Sequence, residues 1–192
     1  MKANFISTEK SLYRKIEHQE ALTAALAEEA KNRGWIADTE QYVRTLPEAD
    51  AADLSADRLQ ELINDAETRY AALVRDVTAE APERQIQLFS AAFTFGQAHA
   101  LPKETGLLEA FQALESFFLN GMPEEKVDRL VSQSDRDVVW EQSKDVHAPF
   151  WKDVPGSSSL YYRLRNCVMD GMLSTTPLQV RMEEGKFIVT YR

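Results

Sequence analysis

Between Ala56 and Ala79 the apolar residues Leu59, Leu62, Ile63, Ala66, Tyr70, Leu73, Val74 and Val77 recur at three- and four-residue steps. That is the period of a helix with one face turned to a core. Acids and arginines fill the steps between: Asp57, Glu61, Asp65, Glu67 and Asp76 with Arg58, Arg69 and Arg75 are read as the polar side. Ser55 stands where an N-cap belongs. A second stretch, Thr8 to Arg33, repeats the pattern with Leu12, Ile16, Leu22, Leu26 and Ala30. Ser7 or Thr8 opens it, and Gly34 supplies the left-handed position that ends helices. Two helices of about 25 residues, each ~37 Å long, predict an antiparallel pair. Gln19 and Thr23 interrupt the stripe of the first, either bonded within the core or facing a partner.

The middle of the chain also reads as helical. A short piece over 40–45 precedes Pro47, and the stretch from Pro47 to Asp53 reads as an acidic loop. Pro82 suits a first turn, and the helix after it, to about Ala100, is apolar on most sides. Such a helix belongs in the middle of a domain, with Gly96 allowing a neighbour close. Further helices are expected over about 104–119, from Pro123 to about Ser132, from Ser134 to near Val146, and over 160–173. An irregular segment from His147 to Ser159 carries Pro149, Phe150, Trp151 and Pro155.

The tail changes period. Leu178, Val180 and Met182 alternate with polar residues, Glu183-Glu184-Gly185 signals a turn, and Phe187, Val189 and Tyr191 alternate again. This is a β-hairpin, which is marginal alone and has to pack on the helices or pair with another strand. The expected architecture is therefore mainly α: a multi-helix single domain over 1–192, with about seven helices and a C-terminal β-hairpin. A division near residue 80 would separate an acidic helical hairpin (1–80) from core helices plus the terminal hairpin (81–192).

Of the 192 residues, 31 are Asp or Glu and 22 Lys or Arg, a net charge of −9. The excess is local. Residues 38–83 hold 12 acids against 4 arginines, whereas residues 144–192 hold 5 acids against 7 bases. A negative surface repels phosphate backbones and attracts basic proteins, so direct nucleic-acid binding is not expected. No apolar run reaches the ~18 residues of a membrane span, and Met1 to Ile6 lacks the apolar core of a secretory leader. One cysteine, Cys167, permits no internal disulfide. These features point to the cytoplasm.

Signatures of chemistry are scarce. His18, His99 and His147 lack the Glu-x-x-His and His-Glu-x-x-His spacings, and no Gly-x-Ser-x-Gly or Gly-x-Gly-x-x-Gly occurs. No metal, cofactor or catalytic residue is assigned. His99 shares a helical face with Leu88, Ala92 and Phe95, as a core histidine bonded to a backbone carbonyl would. Cys167 lies mid-helix on an apolar face, and Arg163 and Arg165 point about 200° apart, forming no fork. The Gly156-Ser157-Ser158-Ser159 turn could cradle an anion but lacks the spacing and lysine of a P-loop.

The expected activity is therefore binding: an acidic inhibitor, immunity-type or competing with nucleic acid, that associates with a basic protein. Asp38, Glu40, Glu48, Asp50, Asp53, Asp57, Glu61 and Asp65 are the candidate contact residues. Two alternatives stand beside it. One is an oligomeric scaffold or homodimer joined through the first helix or the terminal hairpin. The other is a small helical enzyme with a secondary site near His99, His147 and Trp151, in the region of the Trp140–Ser159 loop.

Overall fold

The computed structural model describes residues 8–47, 54–183 and 185–192. Six α-helices and four strands follow one another as α1 (Thr8–Asn32), α2 (Ala56–Thr78), α3 (Gln85–Ala98), α4 (Leu107–Phe117), β1 (Asp128–Gln133), β2 (Asp137–Gln142), α5 (Ala148–Trp151), α6 (Ser157–Met172), β3 (Leu178–Glu183) and β4 (Lys186–Tyr191). The protein is mainly α with a C-terminal β-hairpin. No helix among the described residues is long and apolar enough to cross a membrane.

α1 packs on α2, and α3 packs on both α1 and α6. The Ser55 hydroxyl accepts the Arg58 N–H and caps α2 as its sequence predicts. Leu22, Leu26, Tyr70, Val74, Leu88, Leu164 and Val168 meet in the main core, and a satellite cluster joins Leu12 and Ile16 to Leu59, Ile63, Leu119 and Met122. The tightest approach is between α3 and α6. A Cβ on Gly96 would overlap the Val168 carbonyl, and one on Gly171 would overlap the Phe93 carbonyl. Gly96 thus does what the sequence predicts, and Gly171 is its counterpart across the interface.

α3 is less central than its composition suggests. Only Leu88, Ala92 and Gly96 are buried, while Ile86 at its start is 67% exposed. With α1 and α6 as its neighbours, a third side stays open and leaves Phe89, Phe93 and Phe95 half-buried.

Two segments differ in kind from the helices expected. Pro123 opens a single 3-10 turn, Pro123–Glu125, and the chain then forms β1 and β2. The alternation in Val138-Val139-Trp140 is that of a strand buried on one face, with Val138 and Trp140 inside. Ser134 does bond neighbouring backbone, but to the N–H groups of Arg136 and Asp137, so it holds the turn of a hairpin and not a helix start. Residues 40–45 likewise form a turn closed by Tyr42 and Val43 N–H on the Thr39 carbonyl. The acidic loop expected over 47–53 lies largely outside the described residues.

β2 pairs antiparallel with β4, which gives a four-stranded sheet in the order β1-β2-β4-β3. The terminal hairpin therefore finds its strand partner within the chain. Trp140 stands opposite Phe187, their rings stacked at 5.2 Å, and Val138 opposite Val189. These side chains face the helices, with Phe111 of α4 against Trp140. β1 is an edge interrupted by a bulge at Val131.

Candidate functional site

The acidic stretch divides between surface and interior. Asp38 accepts the Glu40 N–H in the turn after α1, and both residues are exposed. Asp57 is exposed in the first turn of α2, where the helix dipole favours a carboxylate. Glu61 pairs with Arg58 at 3.0 Å and Asp65 with Arg69 at 2.9 Å. Glu48, Asp50 and Asp53 lie outside the described residues. Over 38–83, among the described residues, eight exposed carboxylates stand against three exposed arginines.

Two charges expected on the polar side of α2 turn inward instead. Arg69 grips the buried Glu20 of α1, donating at 2.8 Å through Nη1, and also donates to the Tyr42 carbonyl at 2.6 Å. Burial alone would lower the Arg69 pKa, but the bonds to Glu20 and Asp65 outweigh it and raise it. Tyr42 in turn donates to Asp76, and burial with that carboxylate pushes its hydroxyl up to about 12.

Glu67 is the second. Its Oε1 lies 3.0 Å from His147 Nδ1, and the two side chains are 2% and 1% exposed. The His147 ring stacks on Tyr161 of α6 at 3.7 Å, and its Nε2 is 3.4 Å from Asn120 Oδ1. Asn120 Oδ1 also accepts from the buried Arg165 at 2.9 Å and from Gln142 at 3.2 Å. Its Nδ2 donates to Asp128 at the start of β1. One buried network thus ties α2, the loop after α4, the sheet and α6 together. A general base needs its free imidazole nitrogen within reach of a substrate proton. Here both nitrogens face oxygens of the protein and the ring is covered, so the arrangement holds elements in place.

Over the Glu67–His147 pair opens a cleft of about 300 Å³, lined by Gln60 and Asn64 of α2, by Gly121 and Glu125, and by residues 144–147 with Pro149 and Phe150. Lys144 pairs with Glu125 at 2.6 Å. That ammonium, with the Met122 N–H, holds the Glu125 carboxyl below its ordinary range. Asp145 accepts from the N–H groups of His147 and Ala148 and from the Tyr162 hydroxyl, each at 3.0 Å. Burial would raise its pKa, but these bonds and one from Ser158 prevail and lower it. Asp145 therefore caps the start of α5 through backbone N–H groups and reaches α6 through the Ser158 and Tyr162 side chains. A larger groove of about 610 Å³ runs along the start of α1 and the start of β1.

Of the secondary-site residues, His147 and Trp151 come together across one turn of α5, where the Trp151 N–H donates to the His147 carbonyl. His99 stands in a different cluster. Its Nδ1 is 2.9 Å from the Phe95 carbonyl, and its ring meets Phe117 and His18. His18 faces the Phe117 carbonyl at 3.2 Å. Cys167 is half-buried, and burial raises its thiol pKa. No three His, Cys, Asp or Glu side chains among the described residues are grouped to hold a metal ion.

The sequence puts Glu67 on the polar side of α2 and weighs Arg165 only against Arg163, so the buried network that joins both to Asn120 is a finding of the structure. For Glu67 a signal existed: it stands four residues after Ile63 and three before Tyr70, in the middle of the apolar stripe. No protein-family model, curated protein sequence or solved structure matches this chain.

Proposed function

We propose that the protein acts without covalent chemistry, by binding a basic protein through the acidic side formed by the turn after α1 and the outer face of α2. The observation that carries this reading is the surplus of exposed carboxylates over exposed arginines there, with Asp38, Glu40, Asp57 and Glu61 in the open. The inward turn of Glu67 and Arg69 removes one charge of each sign, so the surface keeps its imbalance. Such a surface steers a positive partner by long-range attraction, and occlusion of the partner's working surface makes the complex inhibitory. A reducing cytoplasmic setting fits the lone Cys167.

The test begins with a partner captured from source cells and its association rate measured against salt. The combined variant Asp38→Lys, Glu40→Lys, Asp57→Lys and Glu61→Lys is expected to slow association about tenfold or more at low salt, with a flatter salt dependence. A rate indifferent to both salt and these substitutions overturns the reading.

Self-association has one observation of its own. β1 is a sheet edge whose Leu130 and Val131 are 47% and 43% exposed. The Val131 bulge is a device that hinders edge pairing, which ranks this reading second. Light scattering across concentration separates the two.

A further inference from the structure

The cleft above Glu67 continues the outer face of α2 inward. Asn64 and Gln60, bonded to each other at 3.0 Å, form its α2 wall one turn from Glu61. At its floor Glu67 uses one carboxylate oxygen for His147, while Oε2 is buried with no hydrogen-bond partner among the described residues. A buried carboxylate oxygen without a donor is costly, and a charged donor answers it best. The remaining charges are Glu125 and Asp145 against Lys144, which Glu125 already engages. The balance favours an added cation. Phe150, half-buried at the wall, offers a ring to a planar group.

We propose that this cleft receives an arginine side chain of the basic partner. Its guanidinium donates to Glu67 Oε2 and lies against Phe150, while its methylene stem passes Asn64. A planar, weakly hydrated cation with several donors suits such a site better than a compact ammonium. Because Oε2 lies below the solvent-accessible surface, the incoming group has to part the cleft wall to reach it. The proposal rests on the acidic-face reading and assigns that face its anchor.

The probe is N-acetyl-arginine amide, with N-acetyl-citrulline amide as its uncharged isostere, titrated at millimolar concentration into the isotope-labelled protein. Resonances of His147, Phe150 and Asn64 are expected to shift with the arginine compound and to stay still with citrulline. Glu67→Gln should weaken binding about tenfold or more. Asn64→Lys, at an exposed position, should do the same by placing an ammonium at the mouth while leaving the buried network intact. Equal responses to the two amides, shifts centred elsewhere, or undiminished binding in Asn64→Lys overturn the proposal. The Asp38–Glu61 charge-reversal variant keeps the cleft, so arginine binding that survives in it while partner association is lost isolates this inference from the broader reading.

Discussion

His147 and Glu67, 80 residues apart in sequence, meet at 3.0 Å as a buried pair that joins α5 to α2. Removing one member strands the other. His147→Ala should destabilise the protein by about 3–5 kcal/mol. Each kcal/mol corresponds to a Tm change of about 2–4 °C for a chain of this size. Urea unfolding measures the loss, and a double-mutant cycle with Glu67→Gln should return a coupling well above that of the exposed Arg58–Glu61 pair, about 0.5 kcal/mol.

Gly96 and Gly34 should respond differently to the same substitution. At Gly96 an added methyl meets the backbone of Val168, which has no freedom to withdraw. Gly96→Ala should cost about 3 kcal/mol or more. Gly34 has open space around it and φ of +72°, so Gly34→Ala pays only for backbone strain, about 1 kcal/mol. Paired denaturation curves make the comparison.

Acid should weaken the fold through His18. Burial lowers its pKa below the ordinary 6.5, with the neighbouring His99 and Arg14 adding to this and the Phe117 carbonyl and Glu17 opposing it. The folded state therefore binds this proton less readily than the unfolded chain. The penalty is absent well above pH 6.5, appears as pH falls through that value, and levels off below the folded pKa. Unfolding free energies between pH 8 and 5 should show this slope, reduced in His18→Gln.

Cys167 should be a slow thiol. Its pKa is raised first by burial and then by Asp170, which lowers the thiolate fraction at neutral pH. Alkylation by iodoacetamide at pH 7.5 should lag behind that of free cysteine and recover its full rate in denaturant.

How much of this was legible depends on the length of the periodic signal. α1 and α2 declare themselves over more than twenty residues each, and the caps at Ser55 and Gly34 agree with the stripes. The terminal hairpin shows in its alternation, and Gly96 in its place within an apolar helix. Residues 128–142 misled because six-residue strands next to capping residues such as Ser134 share their local chemistry with helix starts. Pairing with β4, whose partner residues lie 45–53 positions downstream of those in β2, decides between the two forms. Glu67 was hidden by its charge: position put it in the core stripe, while residue type suggested solvent. The partners that make its burial tolerable, His147 and the network through Asn120 and Arg165, come from segments that sequence spacing alone does not bring together.

The interior lane held by β4 also sets an order of events. β2 waits for a neighbour that lies near the end of these 192 residues, so during synthesis Trp140 and Val138 leave the ribosome long before Phe187 and Val189 exist to cover them. For that interval the β1–β2 ribbon has Phe111 against Trp140 but lacks the strand that completes its cover. Nascent chains halted before residue 186 should be the form that chaperones hold.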